Sequence, residues 1–314
     1  MWKYVLKRLL LTIPIIIGVI FVVFTILYFA PGDVTIQILG NQWTPEAAAA
    51  LRQELGLDQP FFVQFFNYVK GICHGDFGIS YMTREPVINM LAVSFPNTFI
   101  LVITSVALAV IIAVPVGILA ALKPNSIFSG LTTIFSLIGV STPGFWIGLL
   151  LVLLFSLQLG WLPSSGMDSP KAIILPMIVL SLSHMAAMTR MMRSSMIESL
   201  QMDYIRTAKA KGVKEKAIIF KHALRNAMLP TITTIGFITE AMFGGATICE
   251  TVFAIPGMGR LMVENVQARD INPVLGAVTL MAICVAITSI LTDIAFAYLD
   301  PRIKAQYVSG GKGR

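Results

Sequence analysis

Six apolar runs constrain this chain more than any other feature of its sequence. They occupy residues 9–29, 98–122, 131–159, 172–192, 228–248 and 274–299. Each has about 20 residues or more, which is the length that an α-helix needs to cross the hydrocarbon core of a bilayer. Hydrophobic residues make up 56% of the 314 positions and charged residues only 12%, so a soluble domain is excluded. The sequence therefore predicts an all-α, polytopic membrane protein with six transmembrane helices.

Two of these runs have unusual features. The first follows the basic start MWKYVLKR, and it is longer than the apolar core of a signal peptide, which has about 7 to 15 residues. We therefore expect it to be a retained span. The third run is longer than one span needs and contains Ser141-Thr142-Pro143-Gly144. It is predicted to be a broken or strongly tilted helix. Pro115 is expected to kink the second run.

The placement of basic residues predicts the orientation in the membrane. Most of the 23 Lys and Arg residues fall in the N-terminal tail, the loop after residue 122, the segment 190–225 and the C-terminal tail. Basic loops remain on the cytoplasmic side, so both termini are expected to be cytoplasmic. The net charge of +7 then reflects the sides of the membrane, and no nucleic-acid partner is expected.

These features divide the chain into four parts. Residues 1–30 are the N-terminal tail and first transmembrane helix, and 31–97 form an extracytoplasmic insert. Residues 98–300 form a five-helix core, and 301–314 a cytoplasmic tail. Within the insert, Thr44-Pro45-Glu46 is typical of a capped helix start, and the aromatic-rich stretch 60–70 is also expected to be helical.

A basic segment between the fourth and fifth runs has the densest positive charge in the chain. It reads DYIRTAKAKGVKEKAIIFKHALRNAMLP from Asp203 to Pro230. Asp203 is suited to accept hydrogen bonds from the first turn of a helix over 204–211, and Gly212 is suited to end it in a left-handed conformation. A second helix is expected from Lys214 until Pro230 opens the next run. These short helices suit contact with another protein, although a basic cytoplasmic loop needs no partner.

The basic segment resembles the cytoplasmic coupling loop of ABC importer permeases. That loop reads Glu-Ala-Ala, three residues, Gly, then nine residues before Ile-x-Leu-Pro. Ala208 and Gly212 match the last Ala and the Gly, whereas Arg206 and Thr207 replace the Glu and the first Ala. The residues from His222 to Arg225 stand in place of Ile-x-Leu-Pro. The sequence RTAKAKG followed by KHALRNAMLP is similar to the variant of this loop in the dipeptide, oligopeptide and nickel permease subfamily.

Further motifs carry the same resemblance from the first span to the last. GDFGIS at 75–80, the loop 250–273 and the ending YLDPR at 298–302 occur in the expected order. In the loop, Pro256, Gly257 and Gly259 interrupt the backbone, and a short amphipathic helix is expected over 260–267. The resemblance implies that this loop lies near the outer mouth of the translocation path. The alternative is a re-entrant cap that touches no ligand.

The resemblance implies a type I ABC importer permease in the bacterial cytoplasmic membrane, moving dipeptides or oligopeptides. It implies a second homologous permease, two ATP-binding subunits and an extracytoplasmic solute-binding protein as partners. ATP and Mg would be bound by the ATPase subunits, with no cofactor in this chain. The residues implied in ATPase coupling, within segment 203–225, are Asp203, Tyr204, Arg206, Thr207, Ala208, Lys209, Gly212, His222 and Arg225. The candidate residues along the substrate path are Pro256, Gly257, Gly259 and Arg260, in the loop that the resemblance marks, and Glu240, an ionisable residue within a span that could instead make a polar contact between helices.

Other functions leave weaker signals in the sequence. Nickel or metal-chelate uptake is an alternative, because permeases for those substrates share the same sequence motifs. A proton-coupled secondary transporter would use Glu240 and Asp293, the ionisable residues expected within spans, although Asp293 could instead pair with Arg302. An ATPase or other enzyme is not indicated, because no phosphate-binding loop or catalytic constellation occurs. His184 and the nearby methionines suggest core packing rather than a metal site.

Overall fold

The computed structural model describes residues 2–299, and its regular elements in that range are helices, apart from one isolated β-bridge between Ile79 and Pro86. Their bounds are α1 Trp2–Phe29, α2 Val34–Leu39, α3 Pro45–Glu54, α4 Phe61–Cys73, α5 Val87–Leu122, α6 Ile127–Ser141, α7 Gly144–Leu151, α8 Ile174–Gln201, α9 Asp203–Ala210, α10 Glu215–Ala217, α11 Leu224–Val252, α12 Met258–Gln267 and α13 Ile271–Leu299. A 3₁₀ turn follows α2, and π-helical turns follow α7 and α10. The predicted all-α fold is confirmed.

Five helices in the described range are long and apolar enough to cross a membrane. They are α1, α5, α8, α13 and the continuous helix Glu215–Val252, which joins α10 to α11. The end of the bundle that holds α9 is called the basic end here. The opposite end, with α2, α3, α4 and α12, is called the cap end.

The helix pair α6 and α7 supplies the sixth crossing. The two helices meet at a 100° bend, where Thr142 and Pro143 separate them. At the basic end, Ser129 of α6 accepts a hydrogen bond from Arg193 Nε at 2.9 Å. After the pair, the Gly166 amide donates to the Phe253 carbonyl at the cap end, at 2.9 Å. Because the pair connects the two ends, it crosses the bundle, and the predicted break in the third run is confirmed.

The second span is longer than its apolar run predicts. α5 starts at Val87 rather than near residue 98, and both Pro96 and Pro115 lie inside it without ending it. Val87 and Leu91 are buried against Met258 and Ala277 at the cap end. Packing against α12 and α13 therefore extends the helix beyond the part that the apolar run marks.

The core of the bundle lies between α5, α8 and α11. One buried cluster joins Leu101 and Val102 of α5 to Leu175 of α8 and to Met242 and Phe243 of α11. A methionine-rich face of α8 continues this core toward the basic end, with Met188, Met192 and Met196 fully buried. Unbranched Met side chains fill irregular interior space, which agrees with the predicted packing role.

The first and last helices meet through an ion pair. Arg8 Nη2 lies 2.9 Å from Asp293 Oδ2. The sequence suggested Arg302 as the partner of Asp293, but Arg302 lies outside the described residues. The pair places the start of α1 and the end of α13 on the same side of the bundle.

The insert folds into a small helical cap. Thr44 caps α3 by accepting from the Ala47 amide at 3.2 Å, as predicted. Asp33 caps α2 by accepting from the Thr35 amide at 2.9 Å, and it also accepts from Arg52 Nη2 at 2.5 Å. Burial alone would raise the pKa of Asp33, but hydrogen bonds from Thr35 and Arg52 outweigh it, so the pKa is lowered. The carboxylate therefore stays ionised at neutral pH and links α2 to α3.

The GDFGIS motif forms a turn that packs on the start of α13. Gly78 has a φ of +79°, a conformation that favours glycine. Asn272 Nδ2 donates to the Ile79 carbonyl at 2.8 Å, and Ser80 Oγ donates to Asp270 Oδ2 at 2.5 Å. The motif thus fixes the end of the insert to the last span.

Candidate functional site

The short helix α9 forms the predicted element at the basic end. It covers Asp203–Ala210, close to the predicted 204–211. The predicted capping role of Asp203 is wrong: Asp203 is the first helical residue, Met202 precedes the helix, and no side chain caps it. Asp203 instead lies 3.4 Å from Arg206 Nη1. A carboxylate in the first turn still opposes the positive end of the helix dipole.

Gly212 ends α9 as predicted. Its φ is +72°. The Gly212 amide donates to the Lys209 carbonyl at 3.0 Å, and the Val213 amide donates to the Ala208 carbonyl at 3.2 Å. These two bonds define a Schellman motif, in which a left-handed residue just after the helix satisfies its last carbonyls. The turn gives the segment a fixed direction as it leaves α9.

Two side chains hold α9 onto the bundle. Ile205 is fully buried and Ala208 is nearly so. Their cluster includes Ile118 of α5, Met196 of α8 and Ala227 of α11. Val213, just after Gly212, packs against the same cluster. The helix therefore packs on α8 and on the π-helical turn that leads into α11, within a buried cluster that also includes the end of α5.

The remaining surface of segment 203–225 is exposed and basic. Its exposed members among the predicted coupling residues are Asp203, Tyr204, Arg206, Thr207, Lys209, Gly212 and Arg225. Ala208 faces the core, and His222 is half-buried. A surface with several cations and two exposed aromatic rings, Tyr204 and Phe220, is suited to bind a protein partner.

The second helical stretch does not end where the sequence indicated. It starts at Glu215 and runs without a break to Val252, with Pro230 inside it. The predicted boundary at Pro230 is therefore wrong. His222 lies in the π-helical turn and Arg225 just after it. The second half of the basic segment is thus continuous with a span.

Glu250 organises the loop at the cap end. Its side chain is fully buried at the end of α11. Oε1 accepts from Thr98 Oγ1 at 2.5 Å, and Oε2 accepts from the amides of Gly259 and Arg260 at 2.8 and 3.0 Å. Thr98 Oγ1 in turn accepts from the Met258 amide at 2.8 Å. Glu250 and Thr98 together satisfy three amides of the first turn of α12, which has no capping side chain of its own.

The two glycines of the loop make this arrangement possible. A Cβ at Gly257 would overlap the Glu250 carboxyl group, and one at Gly259 would overlap backbone and side-chain atoms of Thr247. The absence of side chains lets the backbone close around the carboxylate. The predicted helix over 260–267 is observed as α12, two residues longer at its start. Arg260 Nε donates to Glu264 at 2.6 Å on its exposed side.

Glu240 lies elsewhere in the bundle. It lines a largely apolar cleft of about 480 Å³ between α1, α11 and α13, together with Arg8, Thr12 and Ser289. Ten residues of helix, or about 15 Å, separate it from Glu250. The predicted path residues therefore lie in two places, with Glu240 in this cleft and Pro256, Gly257, Gly259 and Arg260 at the cap end.

Sequence reasoning missed Glu250 and Thr98. The available signal was a carboxylate shortly before a glycine-containing turn and a helix whose first amides lack a local acceptor. Thr98 gave no signal, because it lies 152 residues from Glu250 in sequence. Within residues 2–299, no group of three or more His, Cys, Asp or Glu side chains is arranged to hold a metal ion.

Two family models match the chain. The model described as the binding-protein-dependent transport system inner membrane component matches residues 113–305. The corresponding N-terminal membrane-component model matches residues 1–104.

Curated relatives match almost the whole chain. The dipeptide transport system permease protein of Alkalihalophilus pseudofirmus is 38% identical, over 97% of this chain and 100% of its own length. The oligopeptide transport system permease protein of Bacillus subtilis is 36% identical over the same shares. The glutathione transport system permease protein of Escherichia coli K12 is 39% identical, over 97% and 99%.

A solved structure has the same fold. The methionine ABC transporter MetNI in an inward-facing conformation aligns with a TM-score of 0.57, at 17% identity, over 68% of this chain and 97% of that chain. At this identity the match supports the fold alone. The family models and the full-length relatives show that this chain is a multi-pass protein of the cytoplasmic membrane and belongs to the permease family of binding-protein-dependent ABC importers.

Proposed function

We propose that this permease forms half of the path by which an ATP-driven importer moves dipeptides or oligopeptides into the cell, and that α9 transmits the motion of the ATPases. The peptide substrate follows from the full-length similarity to dipeptide, oligopeptide and glutathione permeases. The proposed complex contains a second related permease, two ATP-binding subunits and an extracytoplasmic solute-binding protein. The basic end faces the cytoplasm in this proposal, as the basic loops predict.

One observation supports the coupling role most strongly. α9 presents exposed Arg206 and Lys209 on one side, while Ile205 and Ala208 on the other side belong to a buried cluster that joins the ends of α5, α8 and α11. A short helix held in this way moves as a unit with the helices behind it, because packed interiors resist gradual deformation. Closure of the ATP-binding subunits against the exposed side would displace three spans together. The path would then open first to one side of the membrane and then to the other.

The proposed docking of an ATPase on α9 can be tested by photo-crosslinking in the complete transporter. Lys209→Cys, in a variant without the three native cysteines, is labelled with benzophenone maleimide. We expect light to join it to an ATP-binding subunit. Glu46→Cys, which is also exposed but lies on α3 at the cap end, is the control and should not join to that subunit. A Lys209→Cys product with the solute-binding protein, or no product with the ATPase, would refute the docking.

A further inference from the structure

We infer that α4 is an interfacial membrane helix, and that its exposed aromatic face rests among the lipid acyl chains of the leaflet on the cap side. The sequence placed this stretch in an insert outside the membrane. Its 13 residues, FFVQFFNYVKGIC, are too few to span a bilayer. They suffice for a helix that lies along the interface with one apolar face.

The contacts of α4 with α1 indicate how deep α4 lies in the membrane. Phe61 packs on Phe21, Phe24, Tyr28 and Phe29, with ring centroids 5.1 to 5.9 Å apart. One turn further on, Phe65 packs on Phe21 and Phe24 at 5.2 and 5.6 Å. The start of α4 thus lies beside the last third of the first span rather than above it.

The position of that third relative to the bilayer follows from the length of α1. Its apolar run ends at Phe29, and about 20 residues of helix cover the hydrocarbon core. Phe21 lies eight residues earlier, which is about 12 Å along the helix axis. Phe61 and Phe65 therefore lie several ångströms below the surface, at a depth typical of interfacial helices, about 5–10 Å.

The free face of α4 matches this environment. Phe62 and Phe66 are one turn apart and are 62% and 64% exposed, and Val63 beside them is also exposed. Phe29, which stacks on Phe61, is also exposed. It lies on the outward side of α1 with Val22 and Ile26, which are exposed as well. The aromatic face of α4 is therefore continuous with an apolar surface that a spanning helix presents to lipid. This continuity favours lipid over water or a protein partner.

The same helix supports the rest of the cap. Gln64 Nε2 donates to the Leu57 and Gln59 carbonyls at 3.2 and 2.7 Å, and Asn67 Nδ2 donates to Gln59 Oε1 at 3.3 Å. The polar side of α4 thus holds the turn that follows α3. With its other side in lipid, α4 keeps the cap at a fixed height above the membrane.

Spin-label accessibility in the complete transporter tests this inference. Single-cysteine variants Phe62→Cys and Phe66→Cys carry a nitroxide in vesicles of phosphatidylethanolamine and phosphatidylglycerol. Collisions with oxygen, which concentrates in lipid, are compared with collisions with a water-soluble nickel chelate. Asn67→Cys, on the polar side of the same helix, and Glu46→Cys, on the exposed side of α3, are the controls.

We expect the ratio of oxygen to nickel collisions to favour oxygen at Phe62→Cys and Phe66→Cys and to reverse at Glu46→Cys, with Asn67→Cys between them. Nickel collisions at Phe66→Cys as frequent as those at Glu46→Cys would place α4 in water and overturn the inference. Protection from both reagents in the complete transporter would show that protein covers the face, which would also overturn it. Each variant is first checked for peptide uptake, so that only folded transporters are compared.

Discussion

Replacing Gly212 with valine is expected to abolish most ATP-driven uptake while leaving the permease in the membrane. Gly212 has a φ of +72°, and a Cβ built there meets no atom within 4 Å. The substitution therefore acts through the backbone alone. A left-handed conformation costs an L-residue about 1–2 kcal/mol, and a β-branched residue is a true outlier there. Since about 1.4 kcal/mol is a factor of ten, the substitution would disfavour the present form of the turn after α9 by about tenfold or more.

The measurement is peptide uptake and peptide-stimulated ATP hydrolysis by the reconstituted transporter, normalised to the permease present. Gly212→Asn is the matched control, because asparagine is, after glycine, the residue that most readily takes the left-handed backbone conformation at a helix end. The asparagine variant should retain most activity. If the valine variant transports as well as the asparagine variant, the turn after α9 has no part in coupling.

Replacing Glu250 with alanine is expected to cause the largest loss of stability. The substitution removes the acceptor for Thr98 Oγ1 and for the amides of Gly259 and Arg260. Each buried group left without a partner costs about 1–3 kcal/mol, so the total is at least about 3 kcal/mol. Glu250→Gln should be milder, since its amide can donate to Thr98 while its oxygen still accepts from the backbone.

Thermal unfolding of the purified transporter in detergent measures this loss. Glu264→Gln is the control from the same loop, because its pair with Arg260 is exposed and such pairs contribute about 0–1 kcal/mol. The unfolding temperature should be highest for Glu264→Gln, lower for Glu250→Gln and lowest for Glu250→Ala. An alanine variant as stable as Glu264→Gln would mean that the buried carboxylate does not hold α12.

Local signals account for what the sequence predicted well. The helix α9 and its end at Gly212 depend on neighbouring residues only, and so does the start of α3 at Thr44. The spans followed from apolar length alone. Errors arose where tertiary packing outweighed a local rule. α5 starts at Val87 because α12 and α13 cover its first turns, and Pro230 does not interrupt the helix that reaches Val252.

The features that sequence reasoning missed all join distant parts of the chain. Glu250 accepts a hydrogen bond from Thr98 of another span, and Asp293 forms an ion pair with Arg8 near the opposite end of the chain. The aromatic residues of α4 were visible in the sequence, but their depth depends on which residues of α1 they touch. The cleft that contains Glu240 likewise depends on the packing of distant helices, because α1 and α13 supply its other walls.

Uptake of radiolabelled dipeptides and oligopeptides into proteoliposomes tests the proposed function most directly. The vesicles contain ATP and are made with and without the second permease, the ATP-binding subunits and the solute-binding protein, and nickel is added as a competitor. We predict ATP-dependent peptide uptake that requires every component and is not lost when nickel is present. Uptake by this permease alone under a proton gradient would contradict the account, and so would nickel uptake without peptide uptake.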